Sequence, residues 1–132
     1  MISLHGIQKL GRFARSAALP AVRNFASSTS ITRFGVSNPN MSQTVVHNGV
    51  VYISGQIDAS GTSDTIKGQT KNVLDQIDAL LEEANTDKSR LLTASIWVKD
   101  IDRDFGGMNS VWSAWIDPEN KPVRATGESW PL

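Results

Sequence analysis

Apolar and polar positions alternate with changing period from about Thr44 onward, and each change predicts an element. Thr44-Val45-Val46-His47 and Val50-Val51-Tyr52-Ile53 are β-branched and aromatic runs separated by Asn48-Gly49. Asn-Gly supplies the two positive-φ positions of a type I′ turn, so the pair predicts a hairpin. Its register sets His47 opposite Val50, Val46 opposite Val51 and Gln43 opposite Ser54. The second run is apolar on both faces and predicts an interior strand. It ends on Ser54-Gly55-Gln56, where glycine permits close approach to the backbone and two side chains add donors and acceptors. A central strand that delivers a polar site at its carboxyl end is the organising feature. His47, alone at the hairpin tip, reads as a surface residue.

Asp58 to Asp64 is a polar loop. From about Thr65 the period becomes helical, with Ile66, Val73, Leu74, Ile77, Leu80, Leu81 and Ala84 on one face and Lys67, Lys71, Asp75, Asp78 and Glu82 mostly on the other. Asp64 or Thr65 is the expected N-cap, Asn85-Thr86 the end, and the acidic face a solvated surface. Leu91 to Asp100 returns to period two. Leu92, Ala94, Ile96 and Val98 form an apolar face that can take the helix, while Thr93, Ser95, Trp97 and Lys99 form the other. Tryptophan is costly to leave in water, which points to burial of that second face against something else, such as another subunit. A second helix is expected from about Asp102, its candidate cap, to Ile116, with a stripe of Phe105, Met108, Trp112, Trp115 and Ile116. Gly106-Gly107 weakens its first turns, and Asn109 beside the stripe needs partners. Pro122 to Glu128 predicts a last strand with Arg124, Thr126 and Glu128 on one side and Val123 and Ala125 on the other. The order β-β-α-β-α-β predicts an α+β fold, a mixed sheet with two helices packed on one face, and right-handed crossovers.

Composition divides the chain. Residues 1–57 carry Lys9, Arg12, Arg15, Arg23 and Arg33 and no acid, while residues 58–132 carry eight basic against thirteen acidic residues, a balance of −5. Residues 1–33 are rich in Arg, Ser and Ala, the composition of an organellar transit peptide. Ile2, Leu4, Ile7, Leu10, Phe13 and Ala14 fall near helical spacing with basic residues between them, which predicts a basic amphipathic helix before Pro20. Arg23-Asn24-Phe25-Ala26-Ser27 is similar to mitochondrial processing sites. Residues 1–33 are therefore expected to be a mitochondrial leader, cleaved near Phe25 or disordered, for a protein of the matrix. His5 lies in this leader, outside any expected site. With no cysteine, disulfide, thiolate and sulfur-metal chemistry are excluded. No apolar run is long enough for a membrane helix. The acidic body argues against nucleic acid.

Four segments occur together and in order: Tyr52-Ile53-Ser54-Gly55-Gln56-Ile57, the helix Gln69–Ala84, Met108-Asn109-Ser110-Val111-Trp112 and Pro122-Val123-Arg124-Ala125-Thr126. Together they resemble the RidA (YjgF) family of reactive-imine deaminases over about residues 35–128. The resemblance implies a chorismate-mutase-like fold and a homotrimer whose sheets form a central barrel, with active sites in clefts between subunits. That assembly would account for the Thr93/Ser95/Trp97 face. The implied chemistry is hydrolysis of 2-imino or enamine acids, of the 2-aminoacrylate type, to 2-keto acids and ammonia. No metal or organic cofactor is implied. Arg124 matches the family's carboxylate-binding arginine and is the expected catalytic residue; a guanidinium fork pairs a carboxylate bidentately and stays charged. Ser54 and Gly55 match the site-lining turn, and Asn109 a family asparagine near the cleft, which could equally be a structural hydrogen-bonding residue. Thr126 stands where many members have cysteine, so its backbone could contribute but no thiol.

The chain departs from the family in two places. Pro39-Asn40-Met41-Ser42-Gln43 lacks the usual tyrosine of that segment. Family chains also continue further, to a strand whose acidic residue is thought to position the hydrolytic water. Residues 34–132 are thus expected to be a domain lacking its final strand, with an open sheet edge, and Glu128 is no obvious substitute. A non-catalytic member that binds small carboxylates or partners in the same cleft is the alternative. RNA cleavage, suggested for some relatives, fits the charge poorly.

Overall fold

The computed structural model describes residues 3–9 and 30–129. In chain order the elements are β1 (Ser3–Lys9), β2 (Thr32–Phe34), β3 (Thr44–His47), β4 (Val50–Gln56), α1 (Ile66–Glu83), β5 (Leu91–Val98), α2 (Ile101–Trp115) and β6 (Val123–Glu128), with a 3-10 turn at Lys88–Arg90. The expected β-β-α-β-α-β order is present as β3 to β6, and two further strands precede it.

The hairpin forms because Asn48 and Gly49 take φ of 51° and 73°, and His47–Val50 and Val46–Val51 pair as the two-residue loop requires. The Ser54 N–H donates to the Gln43 carbonyl at 2.9 Å, which extends the same register. Thr65 is the N-cap of α1, its hydroxyl accepting from the Gly68 N–H. Val73, Leu74, Ile77 and Leu81 on α1 bury against Val51 and Ile53 of β4, Ala94, Ile96 and Val98 of β5, and Met108 and Trp112 of α2. All of these belong to one core, and each fully buried aliphatic side chain contributes roughly 1.5–3 kcal/mol.

The six-stranded sheet has the order β2-β3-β4-β1-β5-β6. β1 is antiparallel to both β4 and β5, and β6 is parallel to β5. One row of paired residues crosses every strand: Phe34, Thr44, Ile53, Gly6, Ala94 and Arg124. Buried Thr44, Ile53 and Ala94 mark it as a helix-side row. The next row, Arg33, Val45, Tyr52, Ile7, Thr93 and Val123, belongs to the opposite face, which no described element covers. Tyr52, Trp97 and Val123 are exposed there, Val123 by 72%.

Several expectations are corrected. The helix foreseen before Pro20 is not formed at Ser3–Lys9, which is a strand; residues 10–20 lie outside the described residues. Gly6 lowers helix propensity, and two long ladders, to β4 and to β5, outweigh a local periodicity. The α2 cap is Asp100 rather than Asp102: Asp100 Oδ1 accepts from the Arg103 N–H at 3.0 Å, and the helix begins at Ile101. Leu92 is exposed and Leu91 buried, because a register shift against β1 pairs Ile7 with Thr93 but Gln8 with Leu91. Phe105 is exposed, and the core-facing stripe of α2 runs instead through Ile101, Met108 and Trp112. The acidic face of α1 is not wholly solvated: Asp78 Oδ2 accepts from Trp115 Nε1 at 2.8 Å, and Lys88 sits 5.2 Å above the Trp115 ring. Gly107 has a reason that its weak helix propensity hides. A Cβ there would lie 2.5 Å from Ile66 Cγ2, so glycine sets how closely α2 approaches α1, whereas nothing lies near Gly106.

Candidate functional site

The sequence-derived site residues fall into two polar clusters. In the first, β6 presents Arg124 on the helix side of the sheet, level with Ala94. α2 brings Asn109 and Trp112 to it because residues three apart share a helix face. Arg124 Nη1 donates to Asn109 Oδ1 at 2.8 Å, and the guanidinium carbon lies 5.3 Å from the Trp112 ring centroid. One amide oxygen and one aromatic face thus hold the guanidinium. Asn109 Oδ1 is neutral, so it orients the cation without neutralising it. No carboxylate among the described residues is within ion-pairing distance of Arg124, and its other N–H donors keep no protein partner among them. A planar fork fixed at one corner and unpaired along its free edge can take a carboxylate bidentately. Thr126 follows on the same side of β6, with its Oγ1 buried and without a hydrogen-bond partner among the described residues.

The second cluster surrounds Ser54 at the carboxyl end of β4. Ser54 Oγ donates to Gln43 Oε1 at 2.8 Å and lies 2.9 Å from Gln56 Nε2, which also reaches Gln43 Oε1 at 3.1 Å and the Ser54 carbonyl at 3.0 Å. Gln56 is buried. Gly55 is exposed beside this network. Gln43 was legible as the partner of Ser54 from the hairpin register. Gln56 was not, because it lies beyond the paired residues of the hairpin and joins the network only through its side-chain amide.

Within one chain the two clusters do not meet. Arg124 lies in the row of Ile53, three strand spacings away, or about 14 Å. Strand alternation also puts Ser54 on the face opposite the helices and Arg124 on the helix face. Glu128 is occupied elsewhere: its Oε2 accepts from the Ile101 N–H at 3.0 Å, at the positive N-terminus of α2. Two open grooves, of about 510 and 520 Å³, lie beside the Ala59–Thr62 loop and between the N-termini of α1 and α2; neither is lined by Arg124 or Ser54. Among the described residues no group of His, Asp and Glu could hold a metal ion, and no helix is long and apolar enough to cross a membrane. His47 is half-buried at the hairpin tip.

The family model described as endoribonuclease L-PSP matches residues 34–129. The chain belongs to this family. A RutC family protein of Haemophilus ducreyi is 38% identical over 99 residues, 75% of this chain and 82% of the relative. A crystal structure of a YjgF family protein from Neisseria meningitidis superposes with a TM-score of 0.73 at 36% identity, covering 79% of this chain and 84% of that one. Schizosaccharomyces pombe protein mmf1, named as mitochondrial, is 30% identical over 115 residues, 80% of this chain and 69% of its own length. The matched span carries both polar clusters of this RutC/YjgF member, and β1 lies outside it.

Proposed function

We propose that this family member hydrolyses reactive 2-imino and enamine acids of the 2-aminoacrylate type to 2-keto acids and ammonia. The observation that carries the reading is Arg124, held by Asn109 and Trp112 with its remaining donors free of any described carboxylate. In this reading Arg124 pairs the substrate carboxylate and fixes the adjacent imine carbon. Water adds to that carbon, the C–N bond of the resulting carbinolamine breaks, and ammonia leaves with a proton from the same water. An imine is electrophilic enough that positioning supplies most of the rate.

Ser54, Gly55 and Arg124 can line one site only across two copies of the chain. A homotrimer with inter-subunit clefts is therefore part of the proposal. The exposed Tyr52, Leu92, Trp97 and Val123 support it as surface that assembly would bury. Asn109 is proposed to orient Arg124, and Thr126 to contribute its backbone. The basic, acid-free leader composition and the mitochondrial relative support a mitochondrial matrix location. The same arginine would serve a non-catalytic binder of small carboxylates, a reading favoured by the absence of any acid or base among the partners of Arg124. RNA cleavage, which the family description names, has against it the −5 balance of residues 58–132.

The test uses the full chain. An amino-acid oxidase generates 2-imino acids in the presence of semicarbazide, and semicarbazone formation is followed. Suppression by the parent and not by Arg124→Ala is expected. If the parent gives no suppression yet binds 2-keto acids through Arg124, the protein is a binder and the hydrolytic reading fails.

A further inference from the structure

Asn109, Trp112 and Trp115 lie three residues apart and form one row along α2. The first two hold Arg124, through an amide oxygen and a ring face. The third is held from the other helix. Trp115 Nε1 donates to Asp78 Oδ2 at 2.8 Å, and Asp78 stands on α1. Lys88 closes this cluster, 3.8 Å from the same carboxylate oxygen and 5.2 Å above the Trp115 ring. An acceptor at the N–H edge and a cation over the face fix both the rotation and the tilt of that indole. Trp115 in turn meets Trp112 with 5.4 Å between ring centroids and the planes tilted by 53°. Trp112 makes no side-chain hydrogen bond among the described residues, so packing sets the angle of its buried ring. The guanidinium lies against that ring. A contiguous set of contacts therefore runs from the half-buried Asp78 to Arg124.

We propose that Asp78 is a positioning residue for Arg124, acting through the Trp115 and Trp112 rings. The proposal deepens the reading of Arg124 as the carboxylate-binding group and rests on it. Asp78 touches neither the guanidinium nor a substrate; it sets the angle at which the fork is presented. A guanidinium pairs bidentately only when its plane meets that of the carboxylate, so a small rotation of the supporting ring weakens binding. Asp75, on the exposed side of α1, pairs with Lys71 four residues back and serves as the control.

The experiment uses the nitrogen-labelled full chain, with pyruvate as the 2-keto acid probe. Asp78→Ala is expected to raise the Kd for pyruvate about fivefold. It should also shift the Trp112 indole N–H and Arg124 Nε–H resonances along with that of Trp115. Asp78→Asn keeps an acceptor oxygen and should restore the Kd and all three resonances. Trp115→Phe keeps a ring but loses the donor, so its Kd should match that of Asp78→Ala, and the double variant should be no worse than either single one. Asp75→Ala should leave the Kd and the resonances unchanged. Movement of the Trp115 resonance alone, an unchanged Kd in Asp78→Ala, or single effects that add in the double variant overturns the proposal. Where Asp78→Ala does not fold, Trp115→Phe decides by its Kd and the Arg124 Nε–H resonance. If the parent binds no pyruvate, the carboxylate-binding reading fails, and the Trp112 and Arg124 resonances of Asp78→Ala decide the positioning on their own.

Discussion

The two polar clusters of the sheet contain similar numbers of hydrogen-bonding groups and use them in opposite ways. Around Ser54, one hydroxyl and two glutamine amides bond mainly to one another, so the network fixes the end of β4 and retains little capacity for a ligand. Around Arg124, a single hydrogen bond and a ring face fix a cation whose other donors have no partner among the described residues. Burying polar groups in a closed set stabilises a fold. Leaving an oriented charge incomplete prepares a site, because the missing partner must come from outside. Closure, more than polarity, separates the two.

Arg124→Ala should break this contrast most severely. It is expected to lower kcat/KM for 2-imino acids by about 100-fold, with the fold retained in circular dichroism. Arg124→Lys should restore little, because a point charge cannot keep Asn109 and also fork a carboxylate. Asn109→Asp supplies the internal carboxylate that the site lacks. It should raise the Kd for a 2-keto acid by roughly 30-fold as the new ion pair competes with ligand, an effect read by calorimetry. Gly107→Ala acts further away, by pushing α2 and its Asn109 and Trp112 off α1. A loss of about 2 kcal/mol in urea unfolding is expected, against a gain of up to about 1 kcal/mol for Gly106→Ala. Ser54→Ala opens the closed cluster and should cost about 1 kcal/mol of stability, with kcat/KM reduced less than about fivefold. A loss as large as that of Arg124→Ala would show that the hydroxyl itself, and not only the strand end it braces, contacts substrate.

The smallest effect concerns the start of α2. The Arg103 guanidinium, bonded through Nε and Nη2 to the two Asp104 oxygens at 2.7 and 2.8 Å, holds the Asp104 carboxyl below the usual carboxylate range. A depressed folded pKa stabilises the protein above the unfolded value near about 3.9, and that contribution is lost as pH falls through the folded value. Denaturation midpoints of the parent and Asp104→Asn should therefore differ at pH 6 and converge as the pH drops below about 4.

The hairpin, both helices and the two faces of β5 could be read from the sequence because Asn48-Gly49, the helical spacing from Ile66 to Ala84 and the alternation from Thr93 to Val98 are local patterns. Arg124 and Asn109 could be read individually through family resemblance. Their 2.8 Å hydrogen bond could not, since it depends on how far α2 carries Asn109 toward β6. Leu92 and Phe105 went astray because a single register shift or helix turn moves a side chain across the core boundary without altering its apolar character. Ser3–Lys9 misled most. Its apolar spacing suits a helix, and nothing within seven residues announces two partner strands so distant in sequence.

That distance has a kinetic consequence. Ser3 pairs with Trp97 and Leu4 with Ile96, so the middle of the sheet is among its highest contact-order regions. Closing so long a loop is an entropic barrier that local elements do not share. β1, the most N-terminal of the described strands, must be seated after β5 has been made. Until then two parallel strand edges stay open over a forming core, which makes slow folding and dependence on a holding chaperone the expected behaviour of the nascent chain.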